Sequence, residues 1–260
     1  MAGQPHDVVS WTTVKPGITA VSLERPPANA LGIPLLDGMH LAMDAAEKAG
    51  DVKVMVIASA ISGFFAAGAD IKHLSSIDAE SFTAYGDKMR EVNDRLAAAP
   101  WISIAAVDGV ALGGGLELAM AATLRVAGVG GRFGLPEVKL GLIPGAGGTQ
   151  RLPRLVGRGR ALDIMLTARQ VRADEAFRIG LVDRLTDGDV LEAAMAFADE
   201  LVGPSLPAQL AVVRTVDAAF DLPLEDGARF EVEQIQTLFE DGEAAEGIRA
   251  FVDKRTPDFR

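Results

Sequence analysis

Short apolar runs alternate with helical patterns along the first part of the chain, and this alternation restricts the fold more than any other feature. The runs that read as strands lie at residues 18–23, 52–58, 102–107 and 124–127. The middle two are apolar enough for burial on both faces, as in a parallel sheet. Helical patterns occupy residues 35–49 and 79–98. Strands and helices that alternate in this way predict an α/β body.

The helix predicted at residues 79–98 carries its large apolar side chains on one side. They recur at spacings of three and four residues, which is typical of a helix that packs on a core. The stripe consists of Phe82, Tyr85, Met89, Val92 and Leu96.

A change of pattern at about Asp183 predicts a second, helical part of the chain. Strand patterns stop there, and helical patterns separated by Pro and Gly take over. They lie at residues 190–201, 207–220, 224–239 and 243–254. We therefore expect an α/β body with an appended helical segment.

The acidic composition and the lack of cysteine exclude several classes of function. A net charge of −11 argues against a nucleic-acid partner, because phosphate binding needs clustered Lys and Arg. The absence of cysteine excludes disulfides, thiolate catalysis and thiolate metal sites. The three histidines do not stand at metal-ligand spacing, so we expect no metal site. One basic stretch, with Arg151, Arg154, Arg158 and Arg160, is more typical of an exposed or interface surface than of a phosphate site.

The chain lacks the signals of export and of membrane insertion. Residues 1–16 contain neither a basic amphipathic stretch nor an apolar core, and no segment approaches the roughly 20 apolar residues of a membrane span. We expect a cytoplasmic protein with no membrane partner.

Three consecutive glycines, Gly113 to Gly115, open an apolar helix-like run that holds a single charge, Glu117. Glycines allow close approach of a ligand, and the first amides of a helix lack internal partners. The run could therefore form half of an oxyanion hole. A carboxylate among Leu, Ala and Met side chains should be desolvated and its pKa raised, which suits acid–base chemistry. Glu117 could equally cap the helix or pair with an arginine.

A second carboxylate, Glu137, follows Pro136, which should stop any helix and present the side chain from an extended or turn conformation. Taken alone it reads as an ordinary surface glutamate. The glycine-rich loop at residues 141–151 lacks the endings of a P-loop and of a dinucleotide fold. The segment 63–72 has almost no side-chain bulk at Ala66 to Ala69, so its backbone could bind a ligand there, or it could form a turn capped by Asp70.

Four of these stretches, in order and at matching spacing, resemble the enoyl-CoA hydratase (crotonase) superfamily, and specifically its enoyl-CoA hydratases. The likeness runs from about Val14 to Phe259. The stretches are residues 65–72 (Phe-Ala-Ala-Gly-Ala-Asp-Ile-Lys), 113–120 (Gly-Gly-Gly-Leu-Glu-Leu-Ala-Met), 133–137 (Phe-Gly-Leu-Pro-Glu) and 141–152 (Gly-Leu-Ile-Pro-Gly-Ala-Gly-Gly-Thr-Gln-Arg-Leu).

This resemblance implies a spiral of ββα turns over residues 1–188 and a helical trimerisation segment over residues 189–260, assembled as a homotrimer or a dimer of trimers. It implies an acyl-CoA thioester as substrate and no separate cofactor, because coenzyme A enters with the substrate. The catalytic pair maps to Glu117 and Glu137, and the oxyanion-hole amides map to Ala69 and Gly114.

The resemblance also implies a binding site for coenzyme A, with the adenine beside the small residues that precede Asp70. Lys72 is expected near the phosphates, and two C-terminal residues are expected to reach the coenzyme from a neighbouring subunit. The residues concerned are Ala66, Ala67, Ala69, Asp70, Ile71, Lys72, Phe251 and Lys254.

Two residues depart from the family pattern: Thr123 stands where many relatives have aspartate, and Leu116 where some have cysteine. We expect altered packing or chain-length preference rather than lost chemistry. The expected reaction is addition of water to an enoyl-CoA. An enoyl-CoA isomerase and a non-catalytic acyl-CoA binding protein are the alternatives, and the acidic total disfavours the RNA binding found in some relatives.

Overall fold

The computed structural model describes residues 7–240 and 242–259, which form two β-sheets surrounded by helices. In chain order the elements are β1 (Val9–Lys15), β2 (Ile18–Leu23), α1 (Ile33–Ala49), β3 (Val54–Ser59), β4 (Phe64–Ala66), α2 (Ile71–Leu74), α3 (Ala79–Ala97), β5 (Ile102–Val107), β6 (Val110–Leu112), α4 (Gly114–Ala121), β7 (Leu124–Gly128), β8 (Arg132–Gly134), a 3-10 helix (Glu137–Leu140), α5 (Gly148–Val156), α6 (Arg158–Thr167), β9 (Val171–Arg172), α7 (Ala173–Arg178), β10 (Arg184–Thr186), α8 (Val190–Val202), α9 (Leu206–Ala218), α10 (Leu224–Glu240) and α11 (Ala244–Asp253).

The larger sheet has the strand order β1-β2-β3-β5-β7-β10, and the smaller has the order β4-β6-β8-β9. β1 and β2 are antiparallel, and every later pair in the larger sheet is parallel. In the smaller sheet β4, β6 and β8 are parallel, and β9 runs antiparallel to β8. Each sheet is therefore mixed.

The chain passes repeatedly from the larger sheet to the smaller one. β3 leads to β4, β5 to β6 and β7 to β8, and helices follow each of these pairs. Each turn thus adds one strand to each sheet and then a helix. This is the expected spiral of ββα turns, and it places the short strands of the smaller sheet beside the N-terminus of α4.

The long apolar runs lie where the sequence predicts them. The predicted strands at 18–23 and 102–107 coincide with β2 and β5, and β5 is buried at every residue. The expectation that strands stop at about Asp183 is wrong, because β10 follows and pairs with β7 at the sheet edge. This strand has three half-buried residues and no apolar run, so local pattern does not reveal it.

The apolar stripe of α3 is buried over four of its five positions. Tyr85, Met89, Val92 and Leu96 lie in the core, whereas Phe82 is 43% exposed. Phe82 belongs to the same face of the helix, because it lines the cavity described below together with Tyr85 and Met89.

Helix α8 packs on the larger sheet, whereas the helices after it expose many of their large apolar side chains. Val190, Ala194, Phe197 and Ala198 of α8 form an apolar cluster with side chains of β2, β3, β5 and β7. Helices α9 to α11 carry large exposed apolar side chains, which include Val212, Val216, Val232, Ile235, Phe239, Ile248 and Phe251. The division at residues 188 and 189 remains a proposal, with α8 attached to the sheet.

Both departures from the family pattern contribute to packing around α4. Leu116 is fully buried in the core. The amide of Thr123 donates to Oγ of Ser103 at 2.9 Å, and the Ser103 amide donates to Oγ1 of Thr123 at 3.2 Å. Neither departure lies on the cavity wall.

A buried arginine of β7 connects the end of α4 to the segment that precedes β10. Arg125 is 4% exposed and forms an ion pair with Asp183 at 2.9 Å. Its guanidinium also donates to the carbonyls of Leu181 and Ala122, each at 2.9 Å. Burial lowers the pKa of Arg125, and the Asp183 charge opposes this effect.

None of the helices within residues 7–240 and 242–259 has both the length and the apolar character needed to cross a bilayer. The same part of the chain contains no cluster of three His, Cys, Asp or Glu side chains arranged to hold a metal ion.

Candidate active site

A cavity of about 370 Å³ lies between α3, the N-terminus of α4, the loop after β4 and the 3-10 helix. Glu117 and Glu137 both line it, and so do Ala69 and Gly114. The structure therefore brings together, at one cavity, the four residues that the sequence predicts for catalysis and for the oxyanion hole.

Two of the three consecutive glycines are needed for the close approach of α4 to its neighbours. Gly113 has a φ of +52°, which L-residues with a side chain seldom adopt. A Cβ atom at Gly115 would lie 2.1 Å from the carbonyl oxygen of Ala66. Only a glycine at that position lets α4 pack directly on β4, and this packing brings Glu117 to the cavity.

The amides of Ala69 and Gly114 lie at the place where α4 meets the loop after β4. A Cβ atom built on Gly114 would be 3.7 Å from the Ala69 nitrogen, so the two segments are in contact. Gly114 is the first residue of α4, where amides lack helical partners. Within the described chain, neither amide donates to a protein acceptor. Both are available to bind an oxygen atom in the cavity.

Glu117 is buried and is held by two backbone amides. Its side chain is 1% exposed, and Oε1 accepts from the amides of Ala146 and Gly148 at 2.8 and 2.7 Å. Burial raises the pKa of Glu117 above its ordinary value, and the two amides and the nearby charges of Arg151 and Arg90 act against that rise. Because Gly148 begins α5, the carboxylate also lies at the positive end of a helix.

The backbone carbonyls of the loop that binds Glu117 accept hydrogen bonds from side chains of α3 and α5. Nη1 of Arg90 donates to the carbonyl of Gly145 at 3.0 Å, and Nδ2 of Asn93 donates to the carbonyl of Ala146 at 3.0 Å. Arg151 also donates to Ala146 at 3.2 Å. The glycine-rich loop therefore serves a carboxylate rather than a phosphate in this structure. Sequence reasoning missed Asn93, although a polar residue beside the apolar stripe of α3 was a usable signal.

Glu137 lies opposite the glycines, at the first position of the 3-10 helix. The expectation of an extended or turn conformation is wrong in this respect, because Pro136 caps a short helix here. A Cβ atom at Gly113 would lie 2.9 Å from Oε1 of Glu137. Oε2 is buried and has no hydrogen-bond partner among the described residues. Burial raises the pKa of Glu137 to about 7, and the Glu117 charge adds to this effect.

The residues predicted to bind coenzyme A have different environments. Ala67, Ala69 and Ile71 lie on the cavity wall, whereas Ala66 is fully buried in β4. Asp70 caps α2, and its Oδ2 pairs with Arg25 at 2.6 Å. Lys72 is exposed on α2.

The two C-terminal residues predicted to reach the coenzyme lie on α11 and just after it. Phe251 is 86% exposed, and Lys254 is the exposed C-cap of the helix with a φ of +55°. Neither lies on the cavity wall of its own chain. Their role in coenzyme binding remains a proposal.

Known proteins resemble this chain over nearly its whole length. Residues 13–260 match the family model described as enoyl-CoA hydratase/isomerase. A protein of Rhizobium meliloti (strain 1021) named "Probable enoyl-CoA hydratase" is 40% identical over 242 residues, which is 92% of this chain and 93% of that protein. A protein of Bacillus subtilis (strain 168) with the same name is 35% identical over 246 residues, covering 94% and 95%.

A solved structure has the same fold. The crystal structure of an enoyl-CoA hydratase from Bacillus anthracis superposes with a TM-score of 0.92 at 31% identity and covers 96% of this chain and 98% of that one. Together with the family match, this similarity shows that the chain belongs to the enoyl-CoA hydratase/isomerase (crotonase) family.

Proposed function

We propose that this protein is an enoyl-CoA hydratase, which adds water across the 2,3 double bond of an enoyl-CoA to give a 3-hydroxyacyl-CoA. The observation that carries the proposal is the meeting of two carboxylates and two unpaired amides at one cavity. Relatives at 35 to 40% identity bear the same functional name. The apolar walls of the cavity suit the acyl group of such a substrate.

The amides of Ala69 and Gly114 would receive the thioester oxygen. When the oxygen of water attacks C3, the electron pair of the double bond moves toward the carbonyl and leaves an enolate with negative charge on that oxygen. Preorganised amide donors stabilise this charge, and the loss of one such donor typically lowers turnover by about 10²–10³-fold.

The two carboxyl groups would move the protons of the same reaction. One proton of water passes to a carboxylate as the O–C3 bond forms, and a carboxylic acid delivers a proton to C2 as the enolate collapses. After one addition the carboxylate that took the proton of water is neutral and the acid that protonated C2 is charged, so proton transfer between the two groups or exchange with solvent restores the pair for the next turnover. Positioned acid–base groups each contribute about 10²–10⁴-fold.

We assign the base to Glu117 and the acid to Glu137. Two amides donate to Oε1 of Glu117, and such bonds favour the charged carboxylate. Glu137 has an unpartnered buried oxygen within the described chain and a pKa of about 7, so it holds a proton readily near neutral pH. This division gives each group the protonation state that its step requires.

We also propose that the protein assembles as a homotrimer or a dimer of trimers through the segment 189–260. The exposed apolar side chains of α9 to α11 support this proposal, because a segment that leaves many large apolar side chains exposed in the single chain can bury them against a second copy. Sedimentation of the full chain at several concentrations measures the assembly directly.

The catalytic assignment is tested by Glu117→Gln and Glu137→Gln, with Glu192→Gln as the control on the exposed face of α8. Each active-site variant should hydrate crotonyl-CoA at least about 10²-fold more slowly, followed as loss of the conjugated enoyl absorbance, whereas the control should match the original protein. Full activity in either variant would refute the paired assignment. Tight calorimetric binding of acyl-CoA by the original protein without loss of that absorbance would favour a non-catalytic binding protein. Conversion of a 3-enoyl-CoA without hydration would favour an isomerase.

A further inference from the structure

The only tyrosine of the chain, Tyr85, lies in α3 and is 4% exposed. Its hydroxyl accepts from the amide of Asp70 at 3.1 Å and donates to the carbonyl of Leu31. Both partners are backbone groups of segments that meet beside the cavity. Because the hydroxyl uses its donor and one acceptor site on the backbone, it fixes the geometry of the protein rather than contacting a substrate.

The two segments joined by this hydroxyl form a short parallel bridge between Leu31 and Ala69. On one side of the bridge the amide of Leu31 donates to the carbonyl of Gly68 at 2.8 Å. In a regular parallel pair, the amide of Asp70 would donate directly to the carbonyl of Leu31. Here no direct hydrogen bond of normal geometry joins these two groups, and the hydroxyl of Tyr85 bonds to both of them.

This arrangement determines the direction of the Ala69 amide. Along an extended segment, successive backbone groups point alternately to opposite sides. The carbonyl of Gly68 and the amide of Asp70 are both engaged on the Leu31 side. The amide of Ala69, which lies between them, must therefore point to the other side, where Gly114 and the cavity are.

A second set of contacts holds the same segment from the solvent side. The guanidinium of Arg25 binds Oδ2 of Asp70 at 2.6 Å and the carbonyl of Ala30 at 2.6 Å. Oδ1 of Asp70 accepts from the amides of Lys72 and His73. The end of the segment is thus anchored, so a rotation of the Asp70 amide away from Tyr85 would have to be taken up at Ala69.

We propose that Tyr85 is a positioning residue that directs the amide of Ala69 at the thioester oxygen of the substrate. The inference rests on the proposed function, because it assumes that Ala69 is one of the two oxyanion donors. Burial raises the pKa of Tyr85, which keeps the hydroxyl protonated and able to donate to Leu31 at neutral pH.

Tyr85→Phe removes the hydroxyl and keeps the ring, which packs edge-on against His73 and lines the cavity. The freed amide of Asp70 and carbonyl of Leu31 can then close to a direct bond, which changes the backbone angles at Ala69, the residue between this bond and the one from the Leu31 amide to the Gly68 carbonyl. A misaligned donor stabilises developing charge poorly. We expect kcat for crotonyl-CoA to fall about 10–100-fold and KM to stay within about 3-fold.

A spectroscopic measurement separates positioning from a general loss of stability. Cinnamoyl-CoA has a conjugated carbonyl, and donors at its oxygen polarise it and shift its ultraviolet band to longer wavelength. The bound cinnamoyl-CoA should show this shift with the original protein and lose it largely with Tyr85→Phe. The control is Ser103→Ala, which also removes a buried hydroxyl that accepts from a backbone amide; it should lower Tm without moving the band.

The outcomes distinguish this inference from the proposed function. An unchanged band and an unchanged kcat in Tyr85→Phe, with hydration and a red shift in the original protein, would overturn the role of Tyr85 and leave the hydratase proposal standing. A loss of the red shift with retained binding would support the role even if the reaction proved to be isomerisation. If the original protein binds cinnamoyl-CoA without any red shift, the oxyanion hole itself is wrongly assigned and the inference falls with it.

Discussion

Replacing Glu137 by Gln removes a carboxyl group whose deprotonation the folded chain opposes. Below pH 4.5 the folded and the unfolded chains both carry this proton. Between pH 4.5 and about 7 the unfolded chain loses it while the folded chain keeps it, so the original protein loses stability as the pH rises. Above about pH 7 both states are deprotonated and the loss is complete. The variant, which is neutral at every pH, should escape this loss.

The size of the effect follows from the pKa of the buried carboxyl. A rise from 4.5 to about 7 at about 1.4 kcal/mol per pH unit sets an upper limit of about 3.5 kcal/mol. Glu137 is only partly buried, and solvent screening should reduce this to about 1–2 kcal/mol. We therefore expect Glu137→Gln to gain about 1–2 kcal/mol relative to the original protein between pH 5 and pH 8, while it loses activity.

Urea denaturation at equal protein concentration, repeated from pH 4 to pH 8.5, measures this difference. The hydrogen bonds of the new amide add an offset that does not depend on pH, so the slope is the informative quantity. Glu246→Gln is the matched control with the opposite sign. Hydrogen bonds from Arg255 lower the pKa of Glu246 to about 2, so this variant should be less stable than the original above pH 4.5, and the deficit should fade as the pH falls toward 2. A flat difference for Glu137→Gln between pH 5 and pH 8 would refute the reasoning.

Two further predictions concern the packing that positions the site. Arg125→Met should lower the free energy of unfolding by about 3 kcal/mol, because it removes the cation of the ion pair with Asp183 and leaves the buried carbonyls of Leu181 and Ala122 without this donor. Arg178→Met on the surface should cost at most about 0.5 kcal/mol, and equal losses in urea denaturation would contradict the argument. Gly115→Ala should cost about 1–3 kcal/mol and reduce hydration, because its Cβ would lie 2.1 Å from the carbonyl oxygen of Ala66. The control Gly203→Ala has no atom within 4 Å of its Cβ and should be neutral or slightly stabilising in the same assays.

The sequence predicts those strands that can be recognised from a run of consecutive apolar residues. β2 and β5 are apolar runs of six residues each, long enough to be recognised and bounded. β4, β6 and β8 have three residues each, and no periodicity can be read from so short a segment. Their pairing with one another defines them, and that pairing depends on how the spiral brings distant residues together.

The residues of the candidate site also differ in whether their neighbours in the sequence predict their role. The burial of Glu117 follows from its apolar neighbours in α4, and the rise of its pKa was predicted for that reason. Glu137 is followed by the exposed Val138, Lys139 and Leu140, so local pattern indicates a surface residue, and only the family resemblance singled it out. Tyr85 reads as one member of an apolar stripe, because its hydroxyl bonds to backbone groups 15 and 54 residues away.

The glycines show most directly why the site could not be read from residue types alone. A Cβ atom at Gly113 would lie 2.9 Å from Oε1 of Glu137, and one at Gly148 would lie 2.9 Å from Oε1 of Glu117. Each carboxylate therefore occupies space that a side chain on the facing glycine would fill. Sequence reasoning interprets Gly113 as a place where a ligand approaches the backbone, and in the folded chain the group that approaches it is the carboxylate of Glu137. The geometry of the pair is thus set as much by the missing side chains of Gly113 and Gly148 as by the two glutamates themselves.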